Sequence, residues 1–81
     1  MIVKVALFAA AREAVAQSEV GVDLPDSATV LDLKNALEEQ FPKLSGIVPR
    51  SAMSVDQEYA GDEIQISCKS EIALIPPVSG G

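Results

Sequence analysis

Residues 29–42 carry the start and stop signals of a single amphipathic helix. Thr29 can cap its first turn, and Asp32 stands three residues later as the acidic partner of a capping box. Pro42 ends the pattern, because the residue before a proline avoids the α region. Apolar side chains recur at helical spacing on one side, at Val30, Leu33, Leu37 and Phe41. One face of this helix is therefore expected to be buried.

The residues before this helix favour two strands joined by a short helix. Residues 2–8 form an apolar, β-branched run, which is typical of a central strand that is covered on both faces. Residues 9–17 consist of good helix formers, and residues 19–24 alternate polar and apolar positions as a half-buried strand does. Because the connection is short, we expect the two strands to pair antiparallel.

Shorter strand patterns follow the main helix. They occupy residues 52–56, 63–68 and 71–75, with a turn expected at residues 60–62. If the first and last strands pair in parallel, the amphipathic helix lies across one mixed sheet. The predicted architecture is an α+β domain of the β-grasp type over residues 1–75, followed by a flexible, extended C-terminal tail over residues 76–81.

Charge and composition exclude several classes of function. Twelve acidic residues against six basic ones give a net charge of −6, which repels phosphate backbones and argues against nucleic-acid binding. The same charge favours basic protein partners. The chain contains no histidine, so the usual general base and the commonest metal ligand are missing. With 81 residues and 48% hydrophobic content, the sequence predicts one folded domain.

The single cysteine and the N-terminal residues indicate the compartment. Cys68 has no partner in the chain, so neither an intramolecular disulfide nor a Cys-x-x-Cys metal site can form. The apolar run at residues 2–8 contains Lys4 and is too short for a signal peptide or a membrane span. A cytoplasmic protein without membrane association is therefore expected.

No catalytic motif is recognisable in the sequence. It lacks a Gly-x-Ser-x-Gly elbow, a phosphate-binding loop, a His-Glu-x-x-His helix and a dinucleotide-binding glycine fingerprint. Cys68 precedes Lys69 but has no histidine to activate its thiol, and it fits a structural position at a strand end. The carboxylate pairs at residues 38–39 and 62–63 fit solvated positions, and Tyr59 fits a packing role. No cofactor or metal ion is expected to bind this chain alone.

The C-terminal Ile-Pro-Pro-Val-Ser-Gly-Gly is the most distinctive segment. Pro76 and Pro77 lack a backbone N–H, so a strand cannot continue through them, and their fixed φ favours an extended path. The residues that follow add one apolar contact and almost no bulk: Val78, Ser79, Gly80 and Gly81. Two residues without Cβ atoms can enter a narrow channel. The terminal carboxylate, with an ordinary pKa of about 3.3–3.7, becomes electrophilic only after activation, for example as an acyl-adenylate.

Four segments together carry a family resemblance. They are VALFAAARE at residues 5–13, ATVLDLKNALEEQFP at residues 28–42, VDQEY at residues 55–59 and, most specifically, EIALIPPVSGG at residues 71–81. The whole chain resembles the small subunit of molybdopterin synthase, a sulfur-carrier family related in fold to ubiquitin. The family usually has Gly-Asp before the last strand, whereas Lys69-Ser70 stands there in this chain. The turn before that strand is therefore expected to differ.

The resemblance implies that Gly81 carries the chemistry. An adenylating enzyme similar to ubiquitin-activating enzymes would use ATP and Mg²⁺ to form the Gly81 acyl-adenylate, which sulfur transfer would convert into a thiocarboxylate. Residues 76–80 would insert into the large subunit of a heterotetramer of two large and two small subunits. There the sulfur would pass to cyclic pyranopterin monophosphate and form the molybdopterin dithiolene. Candidates for an apolar docking surface beside the tail are Phe8, Leu74 and Ile75, for which ordinary sheet packing is the alternative.

Other functions fit the same tail. A ubiquitin-like modifier would be conjugated through Gly81 to lysines of other proteins, and a sulfur carrier of thiamine synthesis would use the same thiocarboxylate chemistry. A plain interaction module would not need its terminal glycines. The Pro-Pro-Val-Ser segment favours the molybdopterin family over these alternatives.

Overall fold

The computed structural model describes residues 1–77. Its strands are β1 (Ile2–Leu7), β2 (Glu19–Asp23), β3 (Ala52–Val55), β4 (Glu58–Tyr59) and β5 (Ile72–Ile75). Its helices are α1 (Ala9–Val15) and α2 (Val30–Gln40), and two 3₁₀ helices, Pro42–Leu44 and Val48–Arg50, connect α2 to β3. No helix in this part of the chain is long and apolar enough to cross a membrane.

The five strands form one mixed sheet in the order β2-β1-β5-β3-β4. β1 pairs antiparallel with β2 and parallel with β5, so the predicted pairings of the first strand are both confirmed. β3 runs antiparallel to β5 and to β4. With α2 packed across it, the sheet has the α+β architecture of a ubiquitin-like β-grasp fold, as predicted.

The core lies between α2 and one face of the sheet. β1 buries every second residue, Val3, Val5 and Leu7, and α2 contributes Val30, Leu33 and Leu37. Burial of each such side chain stabilises the fold by about 1.5–3 kcal/mol. Ile2 is 58% exposed and Lys4 is also exposed, so β1 is covered on one face only, contrary to the prediction. We call the face of the sheet opposite α2 the outer face.

The capping signals of α2 act as the sequence predicts. The Thr29 N–H donates to Asp32 Oδ2 at 2.9 Å, and the Asp32 N–H donates to Thr29 Oγ1 at 3.4 Å, which completes a capping box. The helix ends at Gln40, and Pro42 begins the first 3₁₀ helix. Because both ends are fixed, the apolar side of α2 keeps its register on the sheet.

The prediction of a strand at residues 63–68 is wrong. This segment forms one isolated bridge, between Gln65 and Thr29, and its backbone groups serve the start of α2 instead. The Val30 N–H donates to the Ile64 carbonyl at 2.9 Å, and the Leu31 N–H donates to the Asp62 carbonyl at 3.1 Å. Strand β4 comes earlier, after a two-residue turn. Irregular backbone therefore replaces a regular edge strand beside the helix.

Candidate functional site

The C-terminal segment leaves the sheet from its central strand. β5 lies between β1 and β3, and Pro76 and Pro77 follow Ile75 without an N–H to continue the pairing. Pro76 is buried and Pro77 is exposed, so contact with the domain extends one residue beyond the predicted boundary at residue 75. The rest of the predicted tail, residues 78–81 with the reacting Gly81, lies outside the described residues.

Phe8 stands beside the point at which the chain leaves the sheet. Leu7 is the register partner of Leu74, so Phe8 and Ile75 are the next residues along two adjacent parallel strands. The chain turns sharply into α1 here, because Phe8 is extended and Ala9 follows with a φ of 49°. Phe8 is 49% exposed and Ile75 is half-buried. The structure thus brings two of the three predicted docking residues together.

Leu74 does not contribute to a docking surface. It is completely buried, and both of its register partners, Leu7 and Met53, belong to the core. Successive residues of a strand face opposite sides of a sheet, so the burial of Leu74 places Ala73 and Ile75 on the outer face. The docking prediction for Leu74 is therefore wrong, and its alternative of sheet packing is correct.

Tyr59 is an exposed aromatic residue for which the sequence suggested packing. It pairs with Ser54, and Ser54 pairs with Ala73, so Tyr59 also lies on the outer face, where it is 77% exposed. Sequence reasoning missed this placement, because it depends on a two-residue hairpin turn at residues 56–57, and Asp-Gln is not one of the dipeptides that usually mark such a turn. We call Phe8, Tyr59 and Ile75 the docking patch.

An open groove of about 520 Å³ also lies on the outer face. It is lined by the small side chains of Ala6, Ser54 and Ala73 together with charged ones such as Lys4 and Glu71, and the three patch residues lie outside its lining. Exposed apolar side chains beside a groove with a polar lining are typical of a surface that binds a protein partner. The outer face is therefore suited to protein binding.

Cys68 lies in a turn and not at the end of a strand. The Ser70 N–H donates to the Ser67 carbonyl at 3.1 Å, and the Lys69 N–H donates to Ser67 Oγ at 3.2 Å. The thiol is free and exposed. Because this turn precedes β5, Cys68 lies at the opposite end of that strand from Pro76, away from the tail.

Basic residues occur in three elements near the start of the tail. Arg12 lies on α1, which packs against the 3₁₀ helix that contains Lys43. Arg50 precedes β3 by two residues, and the first residue of β3, Ala52, pairs with Ile75. Half of the six basic residues of this acidic chain thus belong to the elements at this end of the sheet.

Known proteins similar to this chain share its length and its fold. A protein of Caenorhabditis briggsae named molybdopterin synthase sulfur carrier subunit is 40% identical over 98% of this chain and 96% of its own length. A protein of the same name from Dictyostelium discoideum is 38% identical over 96% of this chain and 94% of its own. The crystal structure of SAMP1 from Haloferax volcanii superposes with a TM-score of 0.87 and 30% identity over the whole of both chains.

A family model also matches almost the whole sequence. The ThiS family model matches residues 5–81, from the middle of β1 to the terminal glycine. This match covers the fold, the docking patch and the complete tail. The chain therefore belongs to the ThiS family.

Proposed function

We propose that this chain is the sulfur-carrier small subunit of molybdopterin synthase. Relatives that bear this name align over almost the whole chain, which supports the proposal. The observation that carries it is the position of Pro76 and Pro77. They follow the central strand of the sheet, beside the exposed Phe8, and only Val78 and Ser79 separate them from the terminal Gly80-Gly81. An activated C-terminus can be presented to a partner in this way while the domain docks beside it.

In this proposal Gly81 is the reacting residue. Within an adenylating partner of the ubiquitin-activating type, the Gly81 carboxylate attacks the α-phosphate of ATP, and pyrophosphate leaves with the help of the partner's Mg²⁺. A sulfur nucleophile at the oxidation level of sulfide then attacks the acyl carbon and AMP leaves, which gives the thiocarboxylate. In the synthase its sulfur displaces an oxygen substituent from a carbon of cyclic pyranopterin monophosphate, and water then hydrolyses the resulting thioester, which leaves the sulfur on the pterin and restores the Gly81 carboxylate. Two such transfers supply the two sulfurs of one dithiolene.

The side chains of the tail suit delivery into a partner's active site. Gly80 and Gly81 have no Cβ, so the walls of a narrow channel can contact their backbone directly. Pro76 and Pro77 restrict φ, which lowers the entropy that the segment loses on insertion. Stiff residues near the domain and bare backbone at the reacting end together favour a deep, extended approach.

The docking patch is the surface that we assign to the large subunit. Exposed aromatic and aliphatic anchors dominate the binding energy of protein interfaces, and Phe8 and Tyr59 are the two exposed aromatic residues of the described chain. Two large and two small subunits would form the complete synthase. Sedimentation of the reconstituted complex would determine this stoichiometry from its mass.

The test is the intact mass of the chain after incubation with the adenylating enzyme, ATP, Mg²⁺ and sulfide. We expect an increase equal to the exchange of one oxygen for sulfur, and no increase for a chain that lacks Gly81. The Cys68→Ala variant serves as a matched control, because a persulfide on Cys68 would add a whole sulfur atom and would vanish in this variant. An unchanged mass with an active enzyme would contradict the proposal.

Two further readouts separate the alternative functions. Molybdopterin should form when the sulfurated chain is mixed with the large subunit and cyclic pyranopterin monophosphate, which a thiamine-pathway carrier would not achieve. Conjugates that resist thiols and denaturant and contain an isopeptide bond to Gly81 would instead identify a protein modifier. If synthase activity were normal in a chain without Gly80 and Gly81, the plain interaction module would be the only one of these functions left.

A further inference from the structure

Strand β2 forms one edge of the sheet, and the hydrogen bonds around it reveal which of its groups face outward. The Leu7 N–H donates to the Ser18 carbonyl at 2.8 Å, and the Leu24 N–H donates to the Met1 carbonyl at 2.8 Å. Hydrogen-bonded and non-hydrogen-bonded pairs alternate along an antiparallel ladder. The residues whose N–H and C=O point away from β1 are therefore Glu19, Gly21 and Asp23.

One end of this edge is already closed by a side chain. The Asp23 N–H donates to Gln40 Oε1 at 3.2 Å, and Gln40 Nε2 donates to the Asp23 carbonyl at 3.0 Å. The Gln40 amide thereby makes both bonds that a residue of a neighbouring strand would make. Within residues 1–77, no group forms a hydrogen bond with the outward N–H or C=O of Glu19 and Gly21. Two adjacent pairing positions remain open.

A small apolar pocket adjoins the same edge. It has a volume of about 210 Å³, and Val15, Phe41 and Pro42 supply its apolar lining beside Gln40 and Lys43. Gln40 contacts β2 as well as this pocket, so the pocket lies on the helix side of the edge. Val15 and Phe41 are half-buried. In strand addition, backbone bonds supply affinity and such pockets select alternate side chains.

The charges along the edge determine what can pair with it. Glu19 and Asp23 are exposed on either side of Gly21, so an added strand meets two carboxylates on the outer face. Asp23 also lies 4.0 Å from the N-terminal ammonium, and Lys4 stands opposite Gly21 on β1, whereas Glu19 forms no ion pair within residues 1–77. A second copy paired antiparallel about Gly21 would place Glu19 of one copy directly opposite Asp23 of the other, and such like-charge pairs are destabilising. The edge therefore disfavours self-association, and the unpaired Glu19 carboxylate favours a basic side chain in the added strand.

We propose that the β2 edge is a second docking site, which takes an extended basic segment of a partner protein by strand addition. The segment exchanges backbone hydrogen bonds with Glu19 and Gly21. Basic side chains lie against Glu19 and Asp23, an aromatic ring covers Gly21, and an apolar side chain enters the Val15–Phe41 pocket. This site is separate from the docking patch and does not depend on the chemistry of Gly81.

The test uses the peptide acetyl-Lys-Val-Tyr-Val-Lys-amide and the full-length chain labelled with ¹⁵N. We expect the amide resonances of Glu19 and Gly21 to shift on titration and to gain protection from hydrogen exchange. Methylation of the tyrosine N–H should weaken the binding at least about tenfold, because it removes the donor that pairs with the Gly21 carbonyl. A peptide with Glu in place of both Lys residues should also bind at least about tenfold more weakly, because its side chains would carry the same charge as the carboxylates of the edge.

Protein variants provide matched controls. Glu19→Lys should weaken binding of the peptide by at least about fivefold, because it removes one attractive charge and adds a repulsive one. Glu58→Lys makes the same charge change on the opposite edge of the sheet and should leave the affinity unchanged. A chain without Gly81 should bind the peptide normally, so failure of this proposal and failure of the sulfur-carrier function can be distinguished.

Several results would overturn the proposal. Equal binding of the methylated peptide would exclude strand addition, and shifts centred on Phe8 and Ile75 would assign the peptide to the docking patch. Amide shifts at Gly21 that depend on protein concentration without peptide would identify a second copy as the occupant. An absence of shifts at peptide concentrations on the order of 1 mM, where even weak specific complexes form, would show that the edge does not bind.

Discussion

At the C-terminal cap of α1, a residue with a side chain occupies a conformation that favours glycine. Ala16 has a φ of 62° and a ψ of 34°, and its N–H donates to the Arg12 carbonyl at 2.8 Å, so the cap holds the conformation in place. We expect Ala16→Gly to raise the free energy of unfolding by about 0.5–1 kcal/mol, because the Cβ penalty disappears. Urea denaturation measures the change.

Ala10 provides the control for this prediction. It lies within α1 and is exposed, so Ala10→Gly should lower the free energy of unfolding by about 0.5–1 kcal/mol through lost helix propensity. Opposite signs for the two variants would confirm the left-handed cap. A loss of stability in Ala16→Gly equal to that of Ala10→Gly would show that residue 16 is an ordinary helical position.

At the residue scale, the sequence predicted the docking residues only in part. Phe8, Leu74 and Ile75 all belong to apolar runs, and alternation cannot be read where residues on both faces are apolar. The register of β5 separates them, because Leu74 pairs with two core residues and its neighbour Ile75 faces outward. Side-chain direction follows from pairing partners that are distant in sequence, and these become known only from the fold.

At the element scale, the capping box makes a quantitative prediction for α2. Thr29→Ala removes the acceptor for the Asp32 N–H and should lower the free energy of unfolding by about 1 kcal/mol. Ser27→Ala is the matched control, since Ser27 is exposed two residues earlier and should change stability by less than about 0.5 kcal/mol. Thermal and urea denaturation of both variants measure the difference. Similar losses in the two would mean that the cap contributes nothing to the stability of α2.

The elements that the sequence predicted well are those with local signals at both ends. α2 has its cap and its proline, and the first two strands have clear patterns. The hairpin between β3 and β4 was missed because Asp56 and Gln57 have positive φ values of 52° and 70°, a conformation usually marked by Asn-Gly or Asp-Gly. Residues 63–68 resemble a strand in composition, but their backbone bonds to the start of α2, which local patterns do not encode.

At the scale of the whole molecule, docking and sulfur chemistry can be separated by one exposed side chain. Phe8→Asp places a charge within the docking patch and should weaken binding to the large subunit at least about tenfold. Leu31→Asp is the matched control, because Leu31 is 46% exposed, close to the 49% of Phe8, but lies at the start of α2. Titration calorimetry measures both affinities. Equal losses of affinity would mean that an added negative charge at either position weakens binding, so that the effect is not specific to the patch.

A chain that ends at Pro77 tests whether the domain provides the binding affinity for the large subunit and the tail provides the reactive group. The core extends to Leu74 and the docking patch to Ile75, so the truncation should change the free energy of unfolding by less than about 0.5 kcal/mol. The truncated chain should then occupy the large subunit without supplying sulfur. Added in excess to the synthase reaction, it should reduce molybdopterin formation in proportion to the fraction of large subunits that it occupies.

The truncated chain that also carries Phe8→Asp is the control for this competition. It lacks both the tail and an intact patch, so it should not inhibit at concentrations at which the truncated chain does. Since exposed apolar residues flank the strand from which the tail departs, the patch is expected to supply most of the affinity and the tail the reactivity. If a folded chain ending at Pro77 fails to inhibit, the affinity resides in residues 78–81, and the assignment of docking to Phe8, Tyr59 and Ile75 is wrong.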